Sequence, residues 1–148
     1  LHRTYLNFGG DKANLRDKHG NPLPAKKLST IRPQVMKGAA VQLFAPQAGK
    51  LALTEGIETA LAVNQGSQLP VWACVSAYGL EHITPPPEVT DVYIFADNDA
   101  NQTGQRAANR LFRRLKRAGF IVRVLIPDLI GEDWWDVFKR SQSILNGV

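Results

Sequence analysis

Three carboxylates stand where hydrophobic runs of β-strand character end. Glu55 follows Leu51-Ala52-Leu53-Thr54 and precedes Gly56, while Asp97 and Asp99 follow Val92-Tyr93-Ile94-Phe95-Ala96 with Asn98 between them. A strand that ends in a carboxylate and leads into a helix presents that group at the carboxyl edge of a parallel sheet, where open α/β sheets bind ligands. Carboxylates gathered there repel one another unless a cation lies among them. Hard oxygen donors of this kind suit Mg²⁺, or Mn²⁺ in its place, and Mg²⁺ takes phosphate oxygens as further partners. The chemistry implied is metal-dependent phosphoryl transfer on a nucleotide or nucleic acid.

Each residue also has an ordinary reading. Glu55 reads as a general acid/base or as a metal-facing carboxylate; taken alone it would favour the N-terminal dipole of the following helix, worth about 0.3–1 kcal/mol. Asp97 and Asp99 are one residue apart, so in extended backbone they share a face; Asp99 would equally serve as a helix cap ahead of Gly104. In Gly131-Glu132-Asp133-Trp134-Trp135-Asp136, Asp133 either approaches the acidic cluster or caps the last helix, with Asp136 three residues on in a box-like arrangement. Trp134 and Trp135 either stack on a base or pack the start of that helix.

These groups need a framework, and the segment from Leu51 supplies it by alternation. Strands are expected near Leu51–Thr54, Val71–Val75, Val92–Ala96 and Ile121–Leu125, and helices near Ile57–Gln65, Thr103–Ala118 and Trp134–Leu145. This order predicts an α/β fold, a parallel sheet flanked by helices with right-handed crossovers. Ile57, Ala60, Leu61 and Val63 mark the expected buried side of the first helix, and Ala107, Ala108, Leu111, Leu115 and Ala118 that of the second. Residues 1–50 differ. Arg3–Phe8 reads as a strand, Gly9-Gly10-Asp11 as a turn and Gly38–Phe44 as a second strand, together a small antiparallel β extension or arm expected to pack on the core of residues 51–148.

The formal net charge is +5 and the isoelectric point about 9.6, a balance that favours polyanionic partners. Arg106, Arg110, Arg113 and Arg117 fall on one helical stripe, fit to track a phosphate backbone or simply to face solvent. Arg3, Lys12, Arg16, Lys18, Lys26, Lys27, Arg32 and Lys37 make a second basic region. No apolar run approaches the ~18 residues of a membrane span, and no signal peptide pattern opens the chain. The single cysteine, Cys74, reads as buried, and cytoplasm is the expected compartment. Three histidines are scattered without ligand spacing, one cysteine excludes a Cys-rich zinc site, and neither G-x-x-x-x-G-K-[ST] nor G-x-G-x-x-G is present. The chain opens at Leu1 already in strand-like pattern, which reads as a segment of a longer protein.

Taken together, strand–Thr54-Glu55-Gly56–helix, strand–Asp97-Asn98-Asp99 and the later Gly131-Glu132-Asp133 resemble the Toprim domain, a Rossmann-like fold shared by topoisomerases, bacterial-type primases and some nucleases. Within it the chain is similar to the modules of phage and plasmid primases and primase-helicases. His2-Arg3-Thr4-Tyr5-Leu6 with Gly10 and Lys12, Lys37-Gly38-Ala39-Ala40-Val41-Gln42-Leu43, and the run from Asp99 through Gly104 to Ala107 and Ala108 echo their pattern. The resemblance implies Glu55 as general acid/base and Asp97 and Asp99 as Mg²⁺ ligands. Asp133 matches the later acidic motif loosely, with Asp136 the alternative. It further implies RNA primer synthesis from NTPs on single-stranded DNA beside other domains of a larger primase. A Toprim nuclease and a non-catalytic nucleic-acid-binding module are the alternative functions.

Overall fold

The computed structural model describes residues 2–29 and 37–145; Arg32 of the basic region lies outside them. The chain divides into two compact units, Leu1–Val35 and Met36–Val148, so residues 37–50 go with the second unit and not with the N-terminal extension.

In the first unit, β1 (His2–Thr4) pairs antiparallel with β4 (Lys26–Leu28), and β2 (Leu15–Arg16) with β3 (Pro22–Leu23). Side-chain acceptors shape its turns. Asn7 Oδ1 accepts the N–H groups of Gly9 and Asp11, both at 2.9 Å, and Asp17 Oδ1 accepts those of His19 and Asn21 at 2.8 and 2.9 Å. Such Asx turns close a loop without a hydrophobic core.

The second unit holds β5 (Val41–Gln42), β6 (Lys50–Thr54), α1 (Ile57–Ser67), β7 (Val71–Ala73), α2 (Ala77–His82), β8 (Asp91–Phe95), α3 (Thr103–Arg117), β9 (Ile121–Leu125) and α4 (Trp134–Leu145). Its five-stranded sheet runs β5-β7-β6-β8-β9, with β5 antiparallel and the rest parallel. The strand expected at Gly38–Phe44 is therefore the edge strand β5, held also by the Trp72 indole N–H donating to Phe44 O at 3.0 Å.

Period-two alternation sorts the sheet's side chains between two cores. Leu51, Leu53, Trp72, Val92 and Ile94 face a cluster that includes Leu80 and Ile83 after it from the α2 region and Leu111 and Leu115 of α3. Ala52, Val71, Ala73 and Phe95 face the other, with Ala60 and Val63 of α1 and Trp134 of α4. Helices cover both faces, as a parallel sheet requires. Two details differ from expectation. Leu61 is exposed, with Thr59, Ala60, Ala62 and Val63 forming the buried side of α1; Ala118 is also exposed, at the end of α3.

Helix α2 was not expected. Ser76 caps it, its Oγ accepting Gly79 N–H at 3.0 Å, and Gly79 lies so close to β7 that a Cβ there would stand 2.0 Å from Cys74 O. Arg114 joins α3 to the α2 segment by donating to the carbonyls of Glu81 and Ile83. None of the described helices is long and apolar enough to cross a membrane.

Candidate active site at the carboxyl edge of the sheet

The crossovers reverse direction at β6: β6–α1–β7 runs to one side and β7–α2–β8 returns to the other. The β6/β8 boundary is therefore the topological switch point, where open sheets leave a crevice for ligands. Thr54 pairs with Phe95 as the last pair of the β6–β8 ladder. One residue further, Glu55 leaves β6 as Ala96 leaves β8, so Glu55 and Asp97 emerge from neighbouring strands at one edge.

Local bonds hold the Glu55 turn. Thr54, fully buried, donates its hydroxyl to Gly56 O at 2.9 Å, and Thr54 O accepts Cys74 N–H at 2.8 Å. Gly56 caps α1 with φ −95°, a conformation open to any residue, so the turn does not demand glycine on backbone grounds. Glu55 is half-buried. Its charge reaches Cys74, whose thiol is pushed up to about 12, first by burial and then by Glu55. Both effects disfavour the thiolate, the reactive form of cysteine.

Asp97 is half-buried and Asp99 exposed. The loop turns into α3 through Gln102, whose N–H donates to Asp99 O at 2.9 Å and whose φ is 56°. Asp99 is not the helix cap. Its Oδ2 instead lies over the first turn of α3, 3.6 Å from where a Cβ on Gly104 would stand.

The 131–136 segment meets this loop through its backbone. Asn98 N–H donates to Glu132 O at 3.0 Å, and Gly131 N–H to Asn98 O at 2.7 Å. Asp133 accepts Asp136 N–H at 3.0 Å while Asp136 Oδ2 faces Asp133 N–H at 3.4 Å, the reciprocal box that starts α4. Asp136 is held below the usual carboxylate range chiefly by its hydrogen bond to Lys139. Trp134 packs edge-on to Phe95 and donates its indole N–H to Ala96 O at 3.1 Å. Trp135 is partly exposed, stacked on Phe138 with Lys139 Nζ over its ring.

Among the described residues no three His, Cys, Asp or Glu side chains gather into a group able to hold a metal ion. The structure thus brings Glu55 and Asp97 to adjacent strand ends without assembling the expected three-carboxylate cluster. The donor chemistry still fits Mg²⁺, which keeps several waters and needs only one or two carboxylates plus substrate phosphates. Arg106, Arg110, Arg113 and Arg117 are exposed on α3, opposite its buried Ala107, Ala108, Leu111 and Leu115. Arg110 is paired with Glu81 at 2.9 Å. Lys37 is exposed in the second unit; Arg3 is exposed in the first, cross-strand from Lys27. Sequence reasoning missed Arg114 and the bonding of Asn98, which spacing alone does not signal.

Comparison with known proteins gives this geometry a family. The chain is similar in fold to a DNA primase domain from Pseudomonas aeruginosa, with TM-score 0.56 and 18% identity over 86% of this chain and 46% of that one. It is likewise similar to the DnaG catalytic core, with TM-score 0.52 and 18% identity over 90% and 49%. A third likeness is to the DnaG primase catalytic domain bound to single-stranded DNA, with TM-score 0.54 and 16% identity over 95% and 55%. The chain spans about half the length of these structures. No curated protein matches it. A Toprim domain family model matches residues 50–143, the segment that carries β6 through most of α4. The chain belongs to the Toprim domain family.

Proposed function

We propose that this Toprim domain is the nucleotidyl-transfer module of a DNA primase, making RNA primers from NTPs on single-stranded DNA beside further domains of a larger primase or primase-helicase. The observation that supports this most is the in-register pairing of β6 with β8, which sends Glu55 and Asp97 out of adjacent strands at the switch point.

In the reaction, a 3′-hydroxyl oxygen attacks the α-phosphorus of an incoming NTP, the bond to pyrophosphate breaks, and the hydroxyl proton must leave. Glu55 takes that proton as general base. Asp97 and Asp99 are the residues that would hold Mg²⁺ or Mn²⁺, with Asp133 a further candidate once its capping bond is exchanged. An ion held there would neutralise charge on the triphosphate. The exposed arginines of α3 and Lys37 neutralise template phosphates, and Arg3 offers the same chemistry on the N-terminal unit by itself. The Arg110–Glu81 pair is a surface contact worth about 0–1 kcal/mol and exchangeable for a phosphate. A buried free thiol at Cys74 accords with a reducing compartment such as the cytoplasm.

The test is incorporation of labelled NTPs on single-stranded DNA with Mg²⁺, comparing wild type with Glu55→Gln. Primers made by wild type and lost in the variant support the proposal. Loss of template without NTPs would replace it with a nuclease, and metal-independent binding without turnover with a non-catalytic module.

A further inference from the structure

We infer that Asn98, braced by Gln105, is the positioning residue of the acidic loop, fixing where Asp97 and Asp99 present their carboxylates; this rests on reading those aspartates as the cation site. Asn98 is half-buried and bonded through its backbone and through both ends of its side-chain amide. Its backbone is tied to Glu132 O and Gly131 N–H at 3.0 and 2.7 Å. Its Nδ2 donates to Pro127 O at 2.8 Å, and its Oδ1 accepts from Gln105 Nε2 at 3.0 Å. Gln105 Nε2 also reaches Asp99 O at 3.3 Å. One amide therefore joins the loop after β9 to the first turn of α3, with the acidic residues directly on either side of it.

The residue type follows from this wiring. Pro127 O only accepts, so it needs an N–H; the Gln105 amide N–H needs an acceptor. Asparagine supplies both in one planar group. Aspartate would set a second acceptor against Pro127 O, and alanine reaches neither. Gln105 makes both of its Nε2 bonds to this loop, while its Oε1 is buried without a hydrogen-bond partner among the described residues. Groups that orient metal-ligating side chains typically govern affinity by 10–100-fold.

The test is Mn²⁺ titration of the full chain by electron paramagnetic resonance, with circular dichroism to verify folding. The variants are Asn98→Ala, Gln105→Ala and, for the site itself, the pair Asp97→Asn with Asp99→Asn. The expected result is Mn²⁺ binding abolished in the Asp97/Asp99 pair, weakened about tenfold in folded Asn98→Ala and weakened more mildly in Gln105→Ala. A role in loop stability alone would lower the melting temperature and leave Mn²⁺ affinity unmoved. Should Asn98→Ala not fold, Gln105→Ala decides, since it keeps the Pro127 contact. Wild-type affinity in the folded Asn98 and Gln105 variants, with binding lost in the Asp97/Asp99 pair, would overturn the inference alone. Wild-type affinity in the Asp97/Asp99 pair would overturn the cation reading and this inference with it.

Discussion

Trp134 donates its indole N–H to the carbonyl of Ala96 at 3.1 Å, so the first residue of α4 is fastened to the backbone one residue before Asp97. The same ring sits edge-on to Phe95, centroids 5.0 Å apart. Trp134 is thus a structural support for the acidic loop. Trp134→Phe keeps much of the packing and removes the donor. Urea unfolding should show a loss of about 1–3 kcal/mol, against less than about 0.5 kcal/mol for Trp135→Phe, whose ring is partly exposed. Equal effects at the two positions would contradict this assignment.

Two helical glycines should respond with opposite signs. A Cβ on Gly79 would stand 2.0 Å from Cys74 O, a backbone atom that cannot step aside cheaply. Gly79→Ala should therefore cost about 1–3 kcal/mol or more. At Gly66 in α1 the nearest obstacle is the Phe138 ring at 3.7 Å, ordinary contact distance. Gly66→Ala should stabilise by roughly 1 kcal/mol through helix propensity and a less free unfolded chain. Thermal melting of both variants checks the pair of signs.

Cys74 predicts a pH dependence. Its thiol is raised from 9.0 to about 12 in the fold, so the folded state holds a proton that the unfolded state releases. Below pH 9 both forms are protonated and the contribution is whole; stability then falls as pH rises toward 12. Cys74→Ala should lack that part of the alkaline slope. Thiol reagents should modify Cys74 only at the rate of unfolding, and rapid labelling of the native protein would contradict the burial argument.

The α3 arginines are a separate matter. Arg110→Ala with Arg113→Ala should weaken single-stranded DNA binding and flatten its dependence on salt, by a slope change of roughly one to two. Fluorescence anisotropy over a salt series measures this. An unchanged slope would leave this helix face to solvent, with Arg114 acting only as the α2 clamp.

Much of the site's framework was legible in the residues because its strands are apolar runs stopped by carboxylates, glycine or proline. Strands β6, β8 and β9 fall within about a residue of expectation, and α3 declares itself by periodicity. What escaped depends on tertiary partners. Helix α2 is six residues long and carries Gly79, which reads as a breaker but is demanded by the close approach to Cys74. Strand β5 pairs with β7, some thirty residues later, so it looked like part of the N-terminal extension. Leu61 is apolar yet exposed because the sheet and α4 decide which side of α1 is covered. Asn98 read as a spacer between aspartates, since hydrogen bonds to residues 105, 127, 131 and 132 leave no trace in spacing. The capping role of Asp133 was one of two readings that sequence could not separate.

The measurement that bears most directly on the central claim is calorimetric titration of Mg²⁺ into wild-type protein and into Asp97→Asn with Asp99→Asn. The account predicts saturable binding by wild type and its loss in a double variant that keeps its fold by circular dichroism. Mg²⁺ binding of equal affinity in both proteins would contradict a cation site at the end of β8.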